Sequence, residues 1–313
     1  MIKKGFPFLS VLLLLIIPLS SFRNAPFSDP IKKKLKTIVI DAGHGLPDIG
    51  ARGEYSNEAA LTLAIATQLG KKLEEALPDC KIIYTRTTAE LPGGLTNKND
   101  ANRLRAKMAN EAHGDLFIAI HINDTNERYR TEIIGYKEET YMATVGKGKK
   151  KKKVQKTRKV PITKRYRIPE TVTGTETYVW ATNKNDIKKK FTGSQDDNYG
   201  EKADSSYQYF DSPQSKILAS LRTAKYFDNS CLLAGYVQDE FVKTGRRNLG
   251  VKQRDYEGIW VLQATAMPSI LVECGFICTP SEETYMNSKE GQDEISDCVK
   301  NAVLKYKAFL EGK

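Results

Sequence analysis

The chain has 313 residues, enough for one large domain or two small ones, and its 40% apolar content supports a real core and excludes wholesale disorder. The net charge of +11 is local: nine lysines and three arginines, with no acid among them, lie between Lys147 and Arg167, leaving about −1 for everything else. The protein is not basic; it carries one basic segment.

Lys3 and Lys4 precede "FPFLSVLLLLIIPL", a run of signal-peptide length and short for a membrane span. No A-x-A cleavage site follows, and no cysteine ends the run to take a lipid. Residues 1–30 therefore read as a signal peptide or N-terminal anchor, and the chain as exported, to the periplasm or cell envelope. "KTIVI" is a buried strand closed by the turn "DAGHG", where Gly43 and Gly45 permit the tight geometry that aims His44 inward. A helix follows from Asn57 to Leu77, with Leu61, Ile65, Leu69 and Leu73 at i+4 spacing and Pro78 as its stop. "KIIYT" is a second strand and "NKNDANRLRAKMANEAHG" a second helix with Gly114 as its C-cap. "DLFIAIHIN" is a third strand, apolar enough to be buried on both faces. Short connections in this β-α-β-α-β order predict a largely parallel sheet covered by helices, with the carboxyl ends of its strands forming a ligand crevice.

After Asn123 the periodicity dissolves. Residues 126–170 hold the basic run and two prolines, and read as an insertion or flexible loop without a fold of its own. "TETYVW" alternates like a strand with one exposed face, residues 181–212 are polar again, and helical periodicity returns from Ser215 to Leu233. "SILVECGF" is a last buried strand, and residues 281–312 supply one or two closing helices. The five cysteines, Cys80, Cys231, Cys274, Cys278 and Cys298, are an odd number and read mostly as small buried hydrophobes.

Chemistry collects at the strand ends. His44 lies just past the first strand, His121 at the end of the third, Glu58 in the first turn of the first helix and Glu273 within the last apolar strand. Taken singly, a strand-end histidine is commonly a hydrogen-bonded rim residue, and an acid in a first turn is favoured by the helix dipole. Together, two of the three histidines at one sheet edge with a carboxylate beside them are the ligand set of a catalytic zinc site with an open position. A carboxylate on a buried strand needs a partner or a task, because an isolated buried charge is costly. His113, just before Gly114, reads as structural.

The residues "VIDAGHG", "NEAALTLAIATQLGKKLE", "TR" at 85, "RAKMAN", "DLFIAIHIN", "GTETYVW", "GVKQ" and "VLQATAMPSILVECGF", in that order from Thr37 to Phe309, resemble the zinc-dependent N-acetylmuramoyl-L-alanine amidases of bacterial peptidoglycan. The resemblance implies a mixed-sheet α/β fold with helices on both faces. It makes residues 31–313 a single catalytic domain, interrupted by the basic insertion at 126–170 and the polar segment at 181–212. It also implies Zn2+ on His44, Glu58 and His121, Glu273 as the catalytic acid/base, and peptidoglycan as substrate. Asn123 either contacts substrate or orients the turn behind His121. Leu46 and Pro47 stand where the family often has glycine, a change expected to narrow that side of the cleft. The competing reading is a wall-binding protein that kept the fold and lost turnover; its mark would be a missing ligand or a missing Glu273, and neither is missing.

The basic run at 147–167 has no aromatic platform beyond Tyr166 and follows an export signal, so nucleic acid is not expected there. An anionic wall polymer or membrane lipid is the better match, with a solvated loop as the bland alternative. In partner-activated members of the family, an inserted helix after the strand matching "TETYVW" covers the zinc until an activator protein binds. At that position stand Asp196, Asp197, Glu201 and Asp204, either as inhibitory occupants of the open zinc position or as parts of a surface loop clear of the cleft.

Overall fold

A computed structural model of the chain describes residues 34–125, 129–168, 170–193 and 213–312. The leader at 1–30 and the acids Asp196, Asp197, Glu201 and Asp204 lie outside the described residues. No described helix is long and apolar enough to cross a membrane.

The first half follows the pattern of the sequence. Strand β1 (Thr37–Ala42) leads to helix α1 (Glu58–Ala76), β2 (Lys81–Tyr84), α2 (Lys98–Glu111) and β3 (Leu116–Asn123). Helix α1 starts where its cap dictates: the Asn57 side chain accepts from the Ala60 N–H. Its Leu61, Ile65, Leu69 and Leu73 all enter one core cluster. Helix α2 ends in a Schellman turn, with Gly114 N–H reaching Ala109 O and His113 N–H reaching Asn110 O. The left-handed residue of that turn is His113 at φ 48°, one position before the glycine expected to supply it.

Strands β6 (Thr175–Val179), β7 (Asn248–Gln253) and β8 (Ser269–Phe276) complete a six-stranded sheet in the order β2-β1-β3-β8-β6-β7. Strands β2, β1, β3 and β8 are mutually parallel; β6 runs antiparallel to β8 and carries β7 parallel to itself. Alternate residues serve the two faces. Ile38, Ile40, Ile118, Ile120 and Val272 pack under α1, under α4 (Pro213–Lys243) and under α7 (Lys289–Leu310). Val39, Phe117, Ala119 and Leu271 pack on the other side with Trp180, Leu262 and Met267. That two-sided burial is why these strands read as unbroken apolar runs.

Two segments depart from the sequence expectation. The insertion expected at 126–170 holds a regular element: β4 (Tyr129–Val145) and β5 (Lys152–Arg167) pair as a long antiparallel hairpin that joins no strand of the main sheet among the described residues. A ribbon wet on both faces needs no apolar alternation, so its period was invisible. The polar stretch after β6 begins with helix α3 (Asn185–Gly193), which packs on α4 and on α5 (Trp260–Ala264). Its Lys188 is fully buried: the ammonium donates to Leu262 O, Met267 O, Thr265 Oγ1 and Ser269 Oγ, and sits 4.3 Å from the centre of the Trp180 ring. Its partners, two carbonyls and two hydroxyls, are distant in sequence, so nothing local marks this lysine for the core. Helix α4 runs ten residues beyond Leu233, and α6 (Pro280–Asn287) precedes α7. All five cysteines are free, four of them buried.

Candidate metal centre

The carboxyl ends of β1 and β3 lie side by side, in register from Ile38↔Leu116 to Ala42↔Ile120, which brings the following residues to one rim. His44 leaves β1 with φ 58°, a left-handed conformation that costs a non-glycine residue roughly 1–3 kcal/mol unless its surroundings impose it. They do. Gly45 N–H bonds to Asp48 O at 2.9 Å, and the buried Arg105 guanidinium donates to His44 O at 2.5 Å and to Ala42 O at 2.7 Å while ion-pairing with Asp41. A second buried arginine, Arg86, donates to Ala42 O, Gly43 O and Ala59 O, tying the turn to α1. Burial, with Arg105 beside it, pushes the Arg86 pKa down to about 10. The role of Gly43 is closeness rather than turning: a Cβ there would stand 2.4 Å from His121 Nε2.

Glu58 opens α1, almost fully buried, and is the hub of the site. Its Oε1 is 2.9 Å from His121 Nδ1 and its Oε2 is 3.2 Å from His44 Nε2. The same carboxylate accepts the N–H of Ala51 at 2.9 Å and of Ile122 at 3.1 Å. The Ile122 donor is available because the β3–β8 pairing slips between His121 and Asn123. His44 Nδ1 faces Asp48 Oδ2 at 2.9 Å, which leaves Nε2 directed at Glu58. His44, Glu58 and His121 thus each offer a ligand atom within 4.8 Å of the others. Burial works against the Glu58 charge, but the two imidazoles outweigh it and hold the carboxyl well below its ordinary range. Burial likewise lowers His44, and Glu58 with Asp48 more than reverses this, so its pKa is raised.

Glu273 stands beside this trio, in register with His121 on β3 and with Glu176 on β6. Its Oε2 is buried without a hydrogen-bond partner, which is uncommon and points to a task. Burial, with the negative charge of Glu58, raises its pKa well above the usual carboxylate value, against the pull of Arg254. All four residues line one cleft of about 520 Å3, with Asn123, Arg254 and Trp260 in its walls. Asn123 is committed at both ends of its amide, donating to Glu176 Oε2 and accepting from Asp124 N–H. His113 is remote from the trio, and Leu46 and Pro47 do not line the cleft; the exposed Leu46 is held at the backbone by Ala89 and Leu91. Asp48, Arg86 and Arg105 were not assigned from sequence. The signal for Asp48 was there, a carboxylate four residues after a histidine, whereas the arginines act on carbonyls and, for Arg105, on Asp41, partners that only the fold brings near.

Residues 38–305 match the family model described as N-acetylmuramoyl-L-alanine amidase. The chain is 24% identical over 318 aligned residues to the germination-specific N-acetylmuramoyl-L-alanine amidase of Bacillus subtilis, covering 97% of this chain and 96% of that one. It is 32% identical over 272 residues to an uncharacterized cell wall amidase of Bacillus anthracis, covering 87% of this chain but 35% of the longer relative. Among solved structures, an N-acetylmuramoyl-L-alanine amidase of Clostridium difficile 630 superposes with a TM-score of 0.51 at 23% identity, over 88% of this chain and 97% of the other. The CwlD amidase of Clostridioides difficile, solved in complex with the GerS lipoprotein, gives 0.51 at 18% identity, over 88% and 99%. With the family model spanning nearly the whole described body, the chain belongs to the N-acetylmuramoyl-L-alanine amidase family.

Proposed function

We propose that the protein is exported to the cell envelope and hydrolyses the amide joining the lactyl group of muramic acid to L-alanine in peptidoglycan. In this reading, zinc sits on His44, Glu58 and His121, and Glu273 handles the proton. Family membership supports amide hydrolysis in the cell wall; the single observation that carries the residue roles is the convergence of the trio with the orphaned carboxyl oxygen of Glu273 beside it.

The donor set fits the ion. Two imidazoles and one carboxylate are a common catalytic zinc triad. The room they share is kept by Gly43 and Gly50, where added Cβ atoms would meet His121 and Glu58 at 2.4 Å. Bound there, zinc supplies a Lewis acid that polarises a carbonyl and acidifies water. The rest is the work of the chain. Asp48 fixes the His44 ring through Nδ1, the usual second partner of a ligating histidine. Glu273 Oε2 takes a proton from the attacking water and returns it to the leaving amine. Asn123 is a positioning residue, spacing the β3 end from Glu176. A protein partner is proposed alongside, because a relative of like fold was solved with a lipoprotein bound.

The test is a digest of purified sacculi read by mass spectrometry. Wild type should release peptides that begin with L-alanine. Glu273→Gln should keep its zinc and slow by about 10²–10⁴-fold, the usual loss for a removed general base. Release at the wild-type rate by Glu273→Gln would overturn the role of Glu273, and cleavage of sugar–sugar or peptide cross-link bonds by wild type would overturn the reaction.

A further inference from the structure

The β4–β5 hairpin takes no part in the cleft, yet it is the most charged feature of the molecule. At about 3.4 Å per residue its strands reach roughly 50 Å, and no other described element packs extensively against them. The strand register separates two faces of different character. On one face the acids are matched: Glu139 pairs with Arg158 at 2.8 Å, Glu132 pairs with Arg130, and Arg158 and Lys164 lie over Tyr141 and Tyr166. Half-buried Ala143, Val154 and Val160 fill the spaces between them. That face matches its acids and stacks its aromatics, and it carries Lys137, Lys152 and Lys156 besides.

The other face is set apart by the large apolar side chains it exposes. Register pairs Ile133 with Thr163, Tyr136 with Pro161 and Met142 with Gln155, which sets Ile133, Tyr136 and Met142 in a row along β4. These three side chains are 57%, 63% and 61% exposed. The neighbouring row on β5 carries Lys153, Lys159 and Arg165, and Glu138 is the one acid among the described residues of that face. The turn adds Lys147, Lys149, Lys150 and Lys151. An apolar row flanked by cations, running along a hairpin with a lysine-rich tip, is the surface that an anionic bilayer accepts: the cations meet headgroup charge and the apolar side chains enter the interface. A soluble anionic polymer would engage the lysines but would leave Ile133, Tyr136 and Met142 in water. A second copy adding its β5 to the β5 edge would bring the lysines of the two strands against each other. We propose that this face of the hairpin and its lysine-rich turn form a docking surface for an anionic lipid membrane, holding the catalytic body beside it.

The test uses the full chain carrying Met142→Trp, whose new indole reports on the hairpin alone, by difference from the parent protein. Vesicles of phosphatidylglycerol and phosphatidylethanolamine, doped with brominated lipid, should quench that indole and shift its emission to the blue. Phosphatidylcholine vesicles should not. Raising salt from low to about 0.5 M, where the Debye length falls to a few ångströms, should lower the anionic response at least about tenfold. Changing Lys147, Lys149, Lys150 and Lys151 to glutamine should do the same, with amide hydrolysis of soluble muropeptides unchanged. No quenching on anionic vesicles would overturn the proposal. So would salt-sensitive retention on sacculi through the same lysines with the indole still water-exposed, which would make the ligand a wall polymer.

Discussion

Gly43→Ala isolates the geometry of the site from its chemistry, because it touches no ligand atom covalently and leaves the backbone conformation unstrained. The added methyl would lie 2.4, 2.5 and 2.7 Å from Nε2, Cε1 and Cδ2 of His121. An ordinary contact of about 3.5 Å requires the ring to retreat by about 1 Å. The ring has little freedom to do so, since Glu58 holds Nδ1 at 2.9 Å and β3 fixes its backbone between β1 and β8. Crowding of this kind costs roughly 1–3 kcal/mol in stability, and displaced ligand geometry weakens metal binding by about 10–100-fold. Chelator competition for bound zinc reads the second effect and a thermal melt the first. Gly235→Ala is the matched control: it lies inside α4 with nothing within 4 Å of the added carbon, and should gain roughly 0.5–1 kcal/mol without altering the metal. Wild-type zinc affinity in Gly43→Ala would refute the claim that this glycine makes room for His121.

Three further outcomes are expected. His44→Ala, Glu58→Ala and His121→Ala should each lose zinc by elemental analysis, while His113→Ala, altered at a helix end, should keep it. Lys188→Ala should destabilise the fold by roughly 3 kcal/mol, seen as a melting temperature several degrees lower, because it strips a donor from buried carbonyls and leaves a cavity under Trp180. Burial tends to raise the Glu283 pKa, but the Ser56 hydroxyl and the N–H groups of Glu54, Tyr55 and Ser56 bring it below its ordinary 4.5. Its contribution to stability is therefore complete above pH 4.5 and fades as pH falls through the lowered value. Denaturant titrations of wild type and Glu283→Gln should differ most above that pH and converge in acid.

How much of this was legible depended on which physical constraint acted on each segment. Strands β1, β3 and β8 are buried on both faces, so they announce themselves as continuous apolar runs, and Glu273 stands out as an acid inside one. Asn57 before the α1 repeat marks that helix start by its capping chemistry. The hairpin was opaque because no core imposes a pattern on it, and β7 because its six residues carry no buried position. Lys188 broke the rule that polar stretches stay outside, since its acceptors come from α5, the start of β8 and the turn between them. Arg86 and Arg105 could not be assigned because their task, holding the carbonyls of 42–44, exists only once three separate segments meet. In the same way His113 took the left-handed position expected of Gly114: the Schellman bonds fix which residue must turn, and glycine one place later serves as the second donor.

The central claim is that the convergent trio holds a metal required for amide cleavage. The most direct measurement strips the purified protein with a chelator, confirms the loss by elemental analysis, and follows release of peptides beginning with L-alanine from sacculi as zinc is returned. Activity should vanish on stripping and return in proportion to zinc bound, in wild type but not in His121→Ala. Undiminished release from the stripped protein, or zinc-dependent release from His121→Ala, would contradict the account.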